Sequence, residues 1–348
     1  MAPIKQNLSA VLLAAGFGQR LRELTRNVPK PLLEVFSVPL LEWQLLRLEQ
    51  AGFQKIAVNT HYKAECIDSF LTKQYRHVYT SHEQNAPLGT GGVFIPLLSW
   101  LGDEAFLVTN SDIIANIDLL SLIQQHHASQ SILTMALLEK PLPKETKIYV
   151  NKGRVVQIGG AEDSAAAKAS SAHGFACAYV VDPRFKRYLE GQQVPFSIVE
   201  SMRAALGNGE EISAFIHGGS FVDLGTPEKY LETCLKLLSL RDLTAIEEFI
   251  GCSLAKAKSK GDFLLNNEDI VDKGWNPKQV KSPVYISHAC KKESLPKIIG
   301  PDVVINGSCE LGELDELRNA VVVNDGKIDR KISLVKNAIV GKDFLINL

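Results

Sequence analysis

The stretch Leu8-Ser9-Ala10-Val11-Leu12-Leu13-Ala14-Ala15-Gly16-Phe17-Gly18-Gln19-Arg20 joins an apolar run to two glycines and a guanidinium. Residues 8–14 have the length and apolar continuity of a buried strand, and the glycines mark the loop that follows. A dinucleotide-binding G-x-G-x-x-G is excluded because position 21 is Leu, and a P-loop is excluded because Gly16 leads to no Gly-Lys-Ser/Thr. What is left is a loop whose glycines let backbone N–H groups approach phosphates, followed at once by the fork-shaped cation Arg20. Taken alone, the same residues also read as an ordinary strand-to-helix turn with a surface arginine.

Further strands are expected over residues 56–59, 78–81 and 105–109. A crossover helix is expected over 40–51, where Leu41, Leu45 and Leu48 share a face and Gly52 stands as its stop. A second helix should begin at Thr226-Pro227, a hydroxyl cap followed by proline at the first helical position, and run to about Leu240. Apolar runs alternating with amphipathic stretches predict an α/β fold with a Rossmann-like, mostly parallel sheet covered by helices.

Residues 241–282 lack a clear period and read as a linker with one helix over 243–250. Beyond them, Ile299, Ile305, Leu311, Leu317 and Val323 are six apart, and after a one-residue slip Ile328, Leu334, Val340 and Ile346 keep the step. Aliphatic residues at a six-residue period, with Gly300-Pro301-Asp302, Asn306-Gly307 and Gly341 as turn formers, suit a short parallel β-helix. The segment resembles left-handed hexapeptide-repeat helices. The domains expected are therefore 1–240, a linker at 241–282, and a repeat domain at 283–348, whose roles would be subunit contacts in a homo-oligomer or cover for the linker.

The chain of 348 residues is 45% hydrophobic and 22% charged, an ordinary globular balance. Its 38 Lys plus Arg against 39 Asp plus Glu give a net charge of -1, which argues against a broad nucleic-acid or anionic-membrane surface. The six cysteines come no closer than 18 residues, so no C-x-x-C motif exists and buried free thiols in a reducing cytoplasm are expected. The apolar run after Lys5 leads into the glycine loop rather than a cleavage region, so it is not read as a leader. No apolar stretch reaches the ~20 residues of a membrane helix. The eight histidines show no ligand spacing and read as surface or hydrogen-bonded core residues.

Ten residues after Arg20 comes Pro29-Lys30-Pro31, where two prolines present Lys30 from a stiff, extended segment. Alone, it would be a solvated loop lysine. With Leu13-Ala14-Ala15-Gly16-Phe17-Gly18-Gln19-Arg20-Leu21, Leu24-Thr25 and Pro29-Lys30-Pro31-Leu32-Leu33 in order, the chain resembles the nucleotidyltransferases that make nucleotide sugars from sugar 1-phosphates, over about residues 8–240. Gln19 stands where that family more often has threonine or serine. Gln84-x-x-Pro87-x-Gly89 resembles the family's base-binding loop, and Pro87-Leu88-Gly89-Thr90-Gly91-Gly92 is most similar to the mannose- and heptose-phosphate guanylyltransferases and the muramate uridylyltransferases. Asn110-Ser111-Asp112 and Phe221-Val222-Asp223-Leu224-Gly225-Thr226-Pro227-Glu228 match the segments carrying two metal-binding aspartates.

The resemblance implies a glycosyltransferase-A-like nucleotidyltransferase fold with Mg²⁺ as cofactor and a nucleoside triphosphate and a sugar 1-phosphate as substrates. It places Arg20 and Lys30 as the catalytic cations and Asp112 and Asp223 as metal ligands. Leu13, Ala14, Ala15, Gly16, Gly18, Gln84, Pro87, Gly89, Thr90 and Asn110 become nucleotide contacts, and Gly174 and Glu200 sugar contacts. Guanylyl transfer is preferred to uridylyl transfer. The Glu-Lys-Pro that the family carries after a later hairpin is missing at residues 159–161, and Glu139-Lys140-Pro141 lies earlier than expected. A regulatory subunit that binds nucleotide sugar without turnover is the competing class. A glycosyltransferase is disfavoured by the missing Asp-x-Asp, and an acyltransferase using His288 by the shortness of the repeat.

Overall fold

The computed structural model describes residues 9–143 and 145–348; Lys5 and Leu8 lie outside them. The chain divides into two compact units.

The first unit comprises Arg47–Ser111 and Ile117–Phe221 with the described part of Met1–Gly16. Its nine-stranded sheet runs in the order Tyr79–His82, Lys55–Thr60, Ser9–Leu13, Phe106–Asn110, Ser171–Val181, Leu133–Leu138, Ile212–His217, Arg154–Ile158, Ile148–Asn151. The first four strands are mutually parallel, and Ser171–Val181 then runs antiparallel to both of its neighbours. The sheet is therefore mixed, not mostly parallel as expected. The apolar runs of residues 133–138 and 171–181 carry no sign of direction, since a strand buried on both faces reads alike either way. The crossover helix spans Leu40–Gln50, and Gly52 closes it at φ 89° with its N–H on Glu49.

His126, on the helix Leu119–Ser129, is 2% exposed and its Nδ1 meets Thr134 Oγ1 at 2.9 Å. Burial pushes its ring down to about 4, with Asp182 opposing and His127 adding to the drop. A folded-state value below the unfolded ~6.5 means the unfolded chain binds the proton first, so stability present above about pH 6.5 is lost as pH falls towards 4. Denaturant unfolding of wild type should lose up to about 3 kcal/mol over that window from this group. His126→Gln should flatten the slope, and equal slopes in both proteins would count against the assignment.

The second unit comprises Phe17–Leu46, Asp112–Asn116 and Val222–Leu348. The helix Pro227–Ser239 starts as the sequence requires, with Thr226 Oγ1 accepting from Lys229 N. Residues 241–282 hold the helices Leu243–Ile250, Ala255–Lys258 and Asn267–Asp272 and the strand Gly261–Leu264. Most of these elements are too short to print a period on the sequence. Val284–Ser287, Val303–Ile305, Leu314–Val322 and Ile332–Val340 pair in parallel, partnering Val284 with Val303, Val303 with Ala320, and Ala320 with Ala338. Those offsets of 19, 17 and 18 residues average three hexads. Asp302, Asn319 and Asn337, each directly before one of the paired residues Val303, Ala320 and Ala338, take positive φ, a conformation Asx residues tolerate; Gly261–Leu264 and Leu345–Asn347 add antiparallel to this sheet, so it is not wholly parallel.

Ile299, Ile305, Leu311, Leu317 and Val340 point inward, but Leu334 is 44% exposed and Val335 takes the buried place. Val335 is in register with the inward Leu317 and Val340 with Val322, so the buried side chains follow the 18-residue pairing rather than a strict step of six. Cys290 and Cys309 are joined in a disulfide, contrary to the expected free thiols. Their separation of 19 residues matches the offset between Val284 and Val303, which brings neighbouring passes side by side. Cys66 and Cys177 are only partly buried, whereas Cys234 and Cys252 are buried and outside any disulfide.

Candidate active site

Four residues singled out from sequence, Arg20, Lys30, Asp112 and Asp223, lie in the second unit, and the structure brings them together. Lys30 opens a 3-10 turn after Pro29, is 7% exposed, and donates to Asp112 Oδ2 at 2.5 Å and Asp223 Oδ1 at 3.4 Å. A solvated loop lysine is excluded. Arg20 reaches Asp223 Oδ2 at 3.8 Å while remaining largely exposed. Asp112 and Asp223 adjoin the paired strands Ile113–Ala115 and Phe221–Asp223, and Leu224 N–H donates to the Asp112 carbonyl.

Two glycines make this approach geometrically possible. At Gly18, φ is 64° and a Cβ would stand 3.2 Å from Lys30 Cβ. At Gly225 a Cβ would stand 2.7 Å from the Arg20 guanidinium and 2.8 Å from Asp223 Oδ2. Lys229 adds a third cation, 3.7 Å from Asp223. Sequence reasoning missed both Gly225 and Lys229. The signal for the lysine is its place three residues after the Thr226 cap and six after the aspartate.

Apart from Gly18, the other nominated residues belong to the first unit. Leu13 is in register with Asn59 and Asn110, so three adjacent parallel strands end together, the position where open α/β sheets bind ligands. Ala14 N–H donates to Asn59 Oδ1 at 2.8 Å, and Ser111 N–H and hydroxyl both donate to the Leu13 carbonyl. Ala15 is buried; Gly16 is exposed, and a Cβ on it would meet nothing. Gln84 and Thr90 are exposed, Pro87 and Gly89 half-buried.

The 87–92 loop is fastened to residues 196–198. Gly91 N–H donates to the Phe196 carbonyl, Phe196 N–H to the Leu88 carbonyl, and Ile198 N–H to Thr90 Oγ1. A Cβ at Gly89, where φ is 81°, would fall 2.3 Å from the Phe196 oxygen.

The sequence missed Glu83. Its carboxylate is 4% exposed and accepts from Asn59 Nδ2 at 2.6 Å and from Leu88 N–H at 2.7 Å. Gly174 is buried against Lys140 and Pro141, so Glu139-Lys140-Pro141, although earlier in the chain than expected, lies beside the Gly174 strand. Glu200 is exposed in the first turn of the helix Ile198–Gly207.

Among the described residues no group of three or more His, Cys, Asp or Glu side chains could hold a metal ion. Asp112 and Asp223 are nonetheless a pair gathered on one cation, the Lys30 ammonium. Mg²⁺ typically takes one or two protein carboxylates and completes its shell with water and substrate phosphates, so the pair fits that ion and asks for no third ligand. No helix of the described residues is long and apolar enough to cross a membrane.

Comparisons with known proteins follow the same lines. The family profile described as "Nucleotidyl transferase" matches residues 9–239. A mannose-1-phosphate guanylyltransferase catalytic subunit beta from Drosophila pseudoobscura pseudoobscura is 29% identical over 252 residues, 70% of this chain and 66% of that protein. An N-acetylmuramate alpha-1-phosphate uridylyltransferase from Neisseria meningitidis serogroup B is 38% identical over 120 residues, 34% of this chain and 52% of that one. The crystal structure of HddC from Yersinia pseudotuberculosis complexed with GMP-PN superposes with a TM-score of 0.54 at 24% identity, covering 66% of this chain and 99% of that one; the likeness speaks for the fold.

Proposed function

The chain belongs to the nucleotidyl transferase family, and on that premise we propose that it moves a nucleotidyl group from a nucleoside triphosphate to a sugar 1-phosphate with release of pyrophosphate. The observation that carries this is Lys30, buried between two aspartates 82 and 193 residues away in sequence. A sugar 1-phosphate is largely dianionic near pH 7, its second pKa being about 6, so the reaction needs no general base. Its phosphate oxygen attacks the α-phosphorus, the bond from that phosphorus to the bridging oxygen breaks, and pyrophosphate leaves with the electron pair. What opposes the step is repulsion between two anions.

Lys30 neutralises the α-phosphate or the incoming phosphate, and Arg20 steadies the β and γ groups. Asp112 and Asp223 hold Mg²⁺, which supplies further charge neutralisation when bound. The nucleotide is assigned to Leu13, Ala14, Ala15, Gly16, Gly18, Gln84, Pro87, Gly89, Thr90 and Asn110, and the sugar to Gly174 and Glu200. Guanylyl transfer to a mannose- or heptose-type phosphate is the first choice, supported by residues 87–92 and the guanylyltransferase relative. Uridylyl transfer to an amino-sugar or muramate-type phosphate is the second, supported by the Neisseria relative. We also assign residues 1–240 to catalysis, 241–282 to a linker and 283–348 to a short left-handed parallel β-helix, a reading supported by the 17- to 19-residue parallel offsets.

Pyrophosphate release measured over four nucleoside triphosphates and a panel of sugar 1-phosphates should exceed an Asp112→Asn control for at least one pair, with GTP leading. No pair above that control would end the catalytic reading, and calorimetric binding without turnover would replace it with a regulatory subunit.

A further inference from the structure

Four residues beyond Lys30, the strands Glu34–Val35 and Val38–Pro39 form a hairpin whose two-residue turn is Phe36-Ser37. Both turn residues are left-handed, at φ 55° and 58°. Such turns normally take Asn-Gly, and a bulky phenylalanine there is a conformational outlier. A strained backbone of this kind persists only where the surroundings over-determine it.

Here the surroundings come from residues 230–307. Asn306, fully buried, accepts from Ser37 N–H at 2.8 Å and donates to the Glu34 carbonyl at 3.2 Å, which Tyr230 hydroxyl also bonds. Tyr285 hydroxyl donates to the Phe36 carbonyl at 2.9 Å, Lys260 Nζ to the Ser37 carbonyl at 3.0 Å, and Gly307 N–H to Ser37 Oγ at 3.4 Å. The Phe36 ring packs on Phe263 and Tyr285 with centroids at 4.8 and 5.1 Å. The turn's carbonyls and the Ser37 amide are therefore all taken by a later part of the chain. Its base is wired to the lysine: Leu40 N–H donates to the Leu33 carbonyl, and Leu33 N–H to the Lys30 carbonyl.

We propose that Asn306 is a positioning residue for nucleotidyl transfer: by imposing the left-handed Phe36-Ser37 turn, it sets the Lys30 ammonium between Asp112 and Asp223. The C-terminal segment is then a clamp on the reacting loop, a role that rests on the catalytic reading of Lys30 above. A turn without its own conformational preference transmits the clamp, because releasing it lets the hairpin relax and moves the lysine four residues upstream.

The test is a cycle of Asn306→Ala and Ser37→Gly in the full chain, read in two ways. One is kcat and KM for pyrophosphate release; the other is the rate at which an amine-acylating reagent labels Lys30, followed by mass spectrometry without substrate. N306A should lower kcat about tenfold with KM within about twofold, since small misplacements of a reacting group are costly, and should raise Lys30 labelling several-fold. S37G, which accepts positive φ freely, should resemble wild type and reduce the N306A loss in kcat to under about threefold.

Unchanged labelling in N306A, or equal losses in both backgrounds, would overturn the clamp. If N306A does not fold, Tyr285→Phe decides, because it keeps the ring and removes the hydroxyl that bonds the Phe36 carbonyl and, more distantly, that of Ala257: faster labelling supports the clamp and unchanged labelling rejects it. A wild type inert with every substrate pair sinks the catalytic reading, whereas Lys30 labelling still reports on the clamp.

Discussion

Lys30→Met is expected to lower kcat for pyrophosphate release by about 10²- to 10³-fold, the range seen when one preorganised electrostatic contact to a transition state is removed. Methionine preserves the length and packing of the stem against Gly18 and removes only the ammonium. The loss should fall on kcat more than on KM, because repulsion between the two anions is greatest as they close on one another. Lys30→Arg should recover less than about tenfold of it: the side chain is nearly buried between two carboxylates, and a planar fork cannot occupy the place of a compact ammonium.

Lys30→Met also leaves Asp112 and Asp223 without their shared buried cation. Its thermal stability at pH 7 should drop, because removing one partner of a nearly buried ion pair leaves the others uncompensated. A variant with wild-type kcat would remove Lys30 from the chemistry, whatever its melting temperature.

How much of this could be read beforehand depends on whether the information was local. The strand at residues 9–13, the helix Leu40–Gln50 with its Gly52 stop, the Thr226-Pro227 start and the helix Leu243–Ile250 are set by near neighbours, and their positions were legible to within a residue or two. Strand direction was not, because an apolar run is the same in either sense; hence the antiparallel Ser171–Val181 strand inside the sheet. The hexad period gave the spacing of the C-terminal passes but not the register that buries Val335 in place of Leu334.

At the site, the motif residues Arg20, Lys30, Asp112 and Asp223 were legible as a set, whereas their supports were not. Gly225 matters only because Arg20, two hundred residues earlier, passes over it. Glu139-Lys140-Pro141 comes earlier in the chain than expected, yet the pairing of Gly174 with Leu138 carries it alongside. Distance in sequence misleads wherever antiparallel strands fold back on one another.

Glu83 is the largest of these omissions, and its removal is the second strong test. Nothing in the sequence separates it from its neighbour Gln84, which is exposed. Its carboxylate bridges Leu88 N–H, at the start of the 87–92 loop, and Asn59 Nδ2, whose own Oδ1 holds Ala14 N–H where the first strand ends. Glu83→Ala strands one buried and one partly buried donor, at about 1–3 kcal/mol for a fully buried one, so a loss of roughly 3 kcal/mol in unfolding free energy is expected. With the loop and the strand end both released, KM for the nucleoside triphosphate should rise at least about tenfold while kcat changes less. Glu83→Gln keeps shape and one acceptor but turns an amide donor towards one of the two donors, so it should fall between wild type and alanine in both measurements. A Glu83→Ala protein of undiminished stability and unchanged KM would mean that the loop holds its form through the Phe196 and Ile198 contacts alone, with the buried carboxylate a bystander.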